Sequence, residues 1–393
     1  MSSLGSPSPF FLAGKKAYAV DRSLRLNDGD SAYLSRTPSS TSNRKTWTFS
    51  AWVKRSNITT GAFQTLFSAN NSSNYGLYGT YIWFSTTDTL AISINSGIYY
   101  LQTNAVFRDV SAWYHLVLNI DTTQATSSNR MKIYVNGVQE TSFATTTYPT
   151  QNLDSSINLN QQHIVGGRRY TSIDNYFDGY MAEVNFIDGQ QYDPLYFGET
   201  NAITGQWIPK KYVGSYGTNG FYLNFLDNSG TTATTLGKDS SGNGNNFTPN
   251  NFSVAAGAGN DSLEDTPTNN FCTLNPLERF THNCTLSDGN LKATGSSEAY
   301  PGAAANIELT SGKWYYEFVI NSKTSVPMCG VCRNNYVSGG AGRILYRAGG
   351  HYVMHDGSEP TDPDSFDVGD IIGVAIDLDD TAGNIRFYKN GTL

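Results

Sequence analysis

Apolar and polar positions alternate with a period of two along much of this chain, a pattern that predicts strands. In residues 47–54 the side chains of Phe49, Ala51 and Val53 fall on one face, and those of Ser50, Trp52 and Lys54 on the other. Short runs at 81–84, 90–94, 163–167 and 180–187 follow, bounded by Ser, Thr, Asn, Asp or Gly. Residues 113–120 are apolar on both faces, which predicts a central strand. Residues 131–140 read as strand, Asn136-Gly137 turn and returning strand, because a type I′ turn needs positive φ at both central residues. Helical signal is confined to Asp193-Pro194, which suits the start of one turn ending near Phe197.

From 201 to 273 the sequence is rich in Gly, Asn, Ser and Thr, with one strand near 220–225, and reads as a loop-rich connector. A second periodic block follows: an opening hairpin at 285–292, strands at 313–320, 368–377 and 385–389, and a second Asn-Gly turn at Asn390-Gly391. Trp113 and Trp314 each open a strand and are expected to be largely buried. The fold class is therefore all-β: two antiparallel β-sandwiches joined by a connector. The expected segments are an N-terminal arm (1–16), a first sandwich (17–200), the connector (201–273) and a second sandwich (274–393). Only two residues follow the last turn, so the second sandwich is expected to be incomplete, an ordered part of a longer polypeptide.

Composition narrows the function classes. Charged residues are 15% of the 393, against a usual share of about 25%. The net charge is -7 and Lys/Arg runs are missing, which argues against a nucleic-acid partner. No run of about 18 apolar residues exists to span a membrane. The cysteines are Cys272, Cys284, Cys329 and Cys332, so the first 271 residues hold no disulfide framework. The Cys329-x-x-Cys332 pair lacks a second pair at zinc-site spacing, and these thiols read as buried strand residues.

Two resemblances follow from particular residues. The block from Ala17 to Asp193 resembles a laminin G-type, concanavalin A-like domain in Ser31–Ser35, Phe49–Lys54, Trp113–Val117, Lys132–Gly137 and Tyr176–Val184. The block from Leu274 to Leu393 resembles a SPRY domain in Ser311–Glu317, Gly330–Cys332, Gly369–Asp379 and Phe387–Gly391. Both families are antiparallel sandwiches used mainly for binding. The tandem itself is similar to virion proteins of marine bacteriophages, above all cyanobacterial ones, in its Pro7–Gly14 opening, its Ser31–Pro38 strand and its 238–246 and 265–276 connectors. That resemblance implies a non-enzymatic virion protein, a tail fibre or other exposed appendage made in the host cytoplasm. Its sandwiches would bind host-surface glycan or dock to other virion proteins. It also implies a homo-oligomer, a trimer above other states, attached through the N-terminal arm, whose apolar patch Phe10, Phe11 and Leu12 is the expected anchor. The competing reading is a polysaccharide depolymerase whose catalytic part lies beyond residue 393.

Catalytic patterns are missing from the sequence. The glucanases of the concanavalin A-like fold carry Glu-x-Asp-x-Glu on one strand, whereas Glu183 and Glu317 stand alone among apolar neighbours. No Gly-x-Ser-x-Gly or His-Glu-x-x-His occurs, and His115 reads as a core or face histidine. His351 and His355 share a strand face but lack further ligands. No cofactor is required by these patterns. Calcium is the one candidate, at Asp239, Ser241 and Asn243, where oxygen donors alternate around a glycine bend. The candidate binding site is the segment Arg168, Arg169, Tyr170, Asp174, Asn175 and Tyr176, which gathers aromatic faces and planar polar groups between two strands. A second Tyr-rich segment holds Tyr75, Tyr78 and Tyr81.

Overall fold

The computed structural model describes residues 18–58, 61–70, 79–257, 259–279, 284–295, 302–323, 327–332, 343–347, 351–353, 365–380 and 384–393. The chain divides into two compact units, Met1–Phe271 and Cys272–Leu393. Among the described residues there is no α-helix and only three single 3-10 turns, one of them at Pro194–Tyr196 and capped by the Asp193 side chain. Among the described residues no helix is long and apolar enough to cross a membrane.

The strands of the first unit begin with β1 (Ser23–Leu26), β2 (Tyr33–Arg36), β3 (Thr46–Arg55), β4 (Gln64–Ala69), β5 (Thr80–Phe84), β6 (Thr89–Ile94) and β7 (Tyr99–Val106). Then come β8 (Tyr114–Asp121), β9 (Met131–Val135), β10 (Val138–Gln139), β11 (Phe143–Thr147), β12 (His163–Val165), β13 (Arg168–Arg169), β14 (Ile173–Asp174) and β15 (Gly179–Asp188). The unit closes with β16 (Gly198–Thr200), β17 (Trp207–Pro209), β18 (Phe221–Leu223), β19 (Thr248–Asn250) and β20 (Ser262–Leu263). The first sheet runs β10-β9-β8-β3-β15-β1-β20, with β18 also on β15, and the second runs β11-β7-β6-β5-β4-β12-β2-β19. All pairs within the two sheets are antiparallel. Period-two alternation sends Phe49, Ala51 and Val53 into the shared core, with Leu116, Leu118, Ile82, Phe84 and Phe186. Phe49 stacks on Phe67 at 5.2 Å, and Phe67, Phe186 and Phe221 continue the cluster. Each such buried ring contributes about 1.5–3 kcal/mol from area alone. Asn136 (φ 47°) and Gly137 (φ 83°) form the turn between β9 and β10.

Of the segment 201–273, expected as a connector, the residues up to Phe271 are instead part of this unit. β18 extends the first sheet, β19 completes the edge of the second beside β2, and β20 pairs β1. β18 is the strand expected near 220–225; β19 and β20 are only two or three residues long, too short to show alternation, and their partners supply the ladder. The segment also covers the outer face of the first sheet. Tyr212 and Tyr216 pack on Val117, Ile187 and Tyr222 together with Phe197. Three buried polar ties hold it there. Arg25 meets Asp261 at 2.9 Å, and Lys54 meets Asp265 at 2.9 Å while donating also to Asn270 Oδ1 and the Phe271 carbonyl. Trp113 Nε1 donates to Asp265 at 3.1 Å, and Trp113 is 8% exposed. A further knot joins Thr268 Oγ1 to the N–H and carbonyl of Val20.

The second unit comprises β21 (Leu274–Arg279), β22 (Cys284–Ser287), β23 (Lys292–Gly295), β24 (Ala303–Ala305), β25 (Lys313–Val319), β26 (Met328–Cys332), β27 (Arg343–Arg347), β28 (His351–Val353), β29 (Ile371–Asp377) and β30 (Asn384–Lys389). Its pairings are antiparallel: β25-β29-β30, β26-β27-β28, β21-β24 and β22-β23. The core is small and centres on Ile372, Val374, Ile376, Phe387, Tyr346 and Phe366. Asn390 (φ 51°) and Gly391 (φ 81°) form the second expected turn. Trp314 departs from expectation and is 47% exposed. It stands opposite Ile376 and so shares the core-facing side of the sheet, but among the described residues β25 is the end strand and the packing centres on β29. Its indole donates to the Ser311 carbonyl. The expectation of buried thiols also needs correction, since Cys284 is buried while Cys272 and Cys332 are exposed, all as free thiols.

Candidate functional site

The register of the second sheet fixes which side chains share its outer face, because directly paired residues point the same way. Ile164, Ser68, Tyr81, Ser93, Tyr100 and Thr147 form one row across it, and Thr65, Trp83, Ala91, Gln102 and Thr145 form the next. Tyr81 and Trp83 alternate with the core residues Ile82 and Phe84 on β5, so they must face outward. Their rings stack at 5.2 Å and 7°; Phe63 lies 4.6 Å from Trp83, and Tyr100 lies 6.4 Å from it. Tyr81 and Trp83 make a nearly buried floor, whereas Phe63 and Tyr100 are half-exposed at its two sides. Asn70 Nδ2 donates to the Tyr81 hydroxyl at 2.9 Å. Gly79 is required here, since a Cβ would lie 1.9 Å from that hydroxyl oxygen. Burial raises the Tyr81 and Tyr100 phenols above the ordinary tyrosine value. Beneath the rings, Thr65 Oγ1 and Ser93 Oγ are buried with no hydrogen-bond partner among the described residues.

Against this floor stands the β13–β14 hairpin. Gly166 N–H bonds the Leu66 carbonyl and Phe177 N–H bonds the Gly166 carbonyl, which closes the excursion. Ser68 Oγ donates to the Gly167 carbonyl and accepts from Arg169 N–H, tying the hairpin to β4. Asn175 sits at φ 47°, a conformation asparagine tolerates, and its carbonyl accepts from Thr65 N–H. Arg168 grips Asp174 through two parallel bonds of 2.7 and 2.8 Å. The Asn175 amide oxygen, turned toward the same guanidinium, accepts at 3.1 and 3.3 Å. The Asp174 bonds raise the Arg168 value and outweigh its partial burial. The guanidinium also lies 5.2 Å from the Tyr170 ring centre.

All six residues singled out from the sequence thus lie on one hairpin, in two groups. Arg168, Tyr170 and Asp174 lie near Tyr81, which senses the charges of Arg168 and Asp174, and Asn175 joins this group through Arg168. On the other side Tyr176 lies 6.1 Å from Tyr33, whose phenol senses Arg169. Sequence reading missed Phe63, Trp83 and Tyr100, which reach the face from other strands and loops; the alternation around Trp83 was the available signal. Tyr75, Tyr78, the anchor residues Phe10, Phe11 and Leu12, and His355 lie outside the described residues, as does the side chain of His351.

The calcium candidate has a different geometry from a cation loop. The Asp239 carboxylate accepts from Tyr222 N–H, Ser241 N–H, Ser241 Oγ and Asn245 N–H, at 2.8–2.9 Å. Asn243 turns its amide nitrogen to the Gly217 and Gly220 carbonyls. These donors occupy the oxygens a metal would need, so the residues do not fit calcium and instead fasten the segment to β18. Among the described residues no group of three or more His, Cys, Asp or Glu could hold a metal.

Two histidines and one glutamate are buried elsewhere. His115 Nδ1 accepts from Trp207 Nε1 at 2.9 Å, so Nε2 carries the proton and donates to Ser50 Oγ at 2.9 Å. His163 Nε2 accepts from Asn158 N–H at 3.0 Å, and Nδ1 donates to the Gln161 carbonyl. Burial pushes His115 down to about 3 and His163 to about 4. Glu183 sits at φ 51° in the bulge of β15 and accepts from the phenols of Tyr222 (2.6 Å) and Tyr18 (2.9 Å); burial raises its carboxyl.

Residues 28–190 match the family model of the concanavalin A-like lectin/glucanases superfamily, of laminin G type. Residues 313–393 match the SPRY domain. The chain carries a laminin G-type domain and a SPRY domain. The laminin G-type domain has a lectin-like fold, and its family match ends before the strands β16–β20 that complete it here. No curated protein matches the chain. Among solved structures, it is similar to a heptameric SAP-like pentraxin from Limulus polyphemus (13% identity, 49% of this chain, 94% of that chain, TM-score 0.33). It is also similar to a putative carbohydrate binding protein from Bacteroides ovatus (14%, 59% and 58%, 0.35) and to domains LG4-5 of the mouse laminin alpha1 chain (10%, 100% and 81%, 0.33). With TM-scores this low, these neighbours carry no argument about ligand or role.

Proposed function

We propose that this protein is a non-enzymatic carbohydrate-binding protein, and that its laminin G-type domain takes glycan on the outer face of its second sheet. The observation that carries this reading is the convergence of Phe63, Trp83 and Tyr100 with the Arg168–Asp174 hairpin on one face. Sugars present C–H surfaces that pack on aromatic rings and hydroxyls that pair with planar polar groups. Phe63, Tyr100 and Tyr170 offer half-exposed rings, Tyr81 and Trp83 hold them from below, and Asp174 and Asn175 offer acceptors fixed by Arg168. The pre-set ion pair means little side-chain order is lost on binding.

The finer reading is an exposed appendage of a phage particle that meets glycan on the host surface. It rests on the resemblance of the Pro7–Gly14 opening and the domain tandem to marine phage virion proteins. In that reading the arm with Phe10, Phe11 and Leu12 contacts other virion proteins and the chain is a homo-oligomer. A glycan array of the full chain, run with and without calcium, tests the binding role. The expected result is a defined set of glycans, bound equally in chelator and lost in Tyr170→Ala and Phe63→Ala. Retention of binding in both variants would refute the site. Labelled antibody on purified particles tests the location.

A further inference from the structure

The end strands β10 and β11 belong to different sheets and are joined by only three residues, 140–142. The chain therefore steps from one sheet to the other across the open flank of the sandwich. The step leaves a cavity of about 210 Å³. Met131, Phe143 and Tyr148 form its apolar wall, and Asn129, Lys132 and Glu140 contribute polar groups. Met131 is fully buried, and Phe143 and Tyr148 pack on the main core, so this wall is rigid. Glu140 follows β10 in register, its N–H bonding the carbonyl of the buried Ile133. It is half-buried, and the side chains of Asn129, Lys132 and Glu140 have no partner among the described residues. Burial alone raises the Glu140 carboxyl, with no cation offsetting it.

We infer that this flank cavity is a second binding site, separate from the sheet face, that takes a single pyranose residue. Its volume is below the roughly 300–1,000 Å³ of pockets for larger ligands, so the recess itself holds one ring. A free acid would meet Glu140, an amine would meet Lys132, and an apolar ring would leave three polar groups unpaired. A sugar ring avoids all three conflicts. Adjacent hydroxyls both donate and accept, which answers the Glu140 carboxylate, the Lys132 ammonium and the Asn129 amide together, while the C–H face packs on Phe143 or Tyr148. The site does not depend on the sheet-face reading.

Saturation-transfer NMR on the full chain, with the methyl glycosides of glucose, galactose, mannose and N-acetylglucosamine as probes, tests this. At least one probe is expected to receive saturation. Its affinity should fall about tenfold or more in Glu140→Gln, which removes a hydrogen bond to a charged group without changing shape. Tyr170→Ala should leave it unchanged, because that residue lies on the other site. Absence of transfer to all four probes, an unchanged affinity in Glu140→Gln, or loss in Tyr170→Ala would each overturn the inference. Circular dichroism of the Glu140→Gln variant separates lost binding from lost folding.

Discussion

Acid should loosen the laminin G-type domain through its two buried histidines. His115 and His163 each use one ring nitrogen to accept from an N–H that cannot reverse its role, Trp207 Nε1 in one case and the Asn158 backbone in the other. A second ring proton would point at that donor, so both rings are held neutral, at values pushed down to about 3 and about 4. In the unfolded chain each would titrate near 6.5. Stability rises with pH wherever the unfolded state binds more protons, so it is lost on acidification. The contribution is thus complete above pH 6.5 and is lost as pH falls toward the folded values. At pH 5 the cost is about 2 kcal/mol for each histidine, about 4 together, against a usual total of about 5–15. Urea unfolding followed by tryptophan fluorescence reads this domain, since Trp47, Trp52, Trp83, Trp113 and Trp207 lie in it and only Trp314 lies outside. His115→Gln and His163→Gln should each be less stable than wild type at pH 7.5 yet lose about 2 kcal/mol less on moving to pH 5. Carboxylates common to all three chains cancel in that comparison. Identical pH slopes would refute the locked-neutral account.

Other substitutions probe the packing. Asp265→Ala leaves the Lys54 charge buried and unpaired and should cost about 3–5 kcal/mol by denaturant unfolding, with the double variant Lys54→Met/Asp265→Leu recovering much of it. Trp113→Ala should cost about 3–5 kcal/mol, whereas Trp314→Ala, half in water, should cost under about 1.5; equal losses would show that exposure does not decide the matter. Gly137→Ala should destabilise the domain by about 1 kcal/mol or more in a thermal melt, because its φ is 83° and the new methyl would lie 2.7 Å from the Trp207 ring.

The long strands were legible because each has one buried face and one distinct face, as in β3. Asn136-Gly137 was legible because its backbone demand is local. Trp314 misled for the opposite reason: the strand pattern states which face it shares, while its burial depends on how much protein lies opposite. β18 was legible as the strand near 220–225, but β19 and β20 were invisible, since two or three residues carry no period and their hydrogen bonds come from β2 and β1 at the far end of the unit. The hairpin residues of the candidate site could be found together because they are contiguous. Trp83 and Tyr100 could not, because only the register of β5, β6 and β7 makes them neighbours.

The pairing of β1 with β20, and the Thr268 clasp on Val20, place the entry and exit of the laminin G-type domain side by side. Joining those two points with a short loop and opening the chain elsewhere, at an exposed turn such as 171–172, should give a circular permutant with the same sheets. The same closeness lets the domain be spliced whole into a surface loop of an unrelated scaffold without stretching it. A graft cut at residue 190, where the family match stops, would leave Arg25 and Lys54 as stranded charges on a bare sheet. The portable unit is the stretch that ends only after Phe271, whose carbonyl holds Lys54.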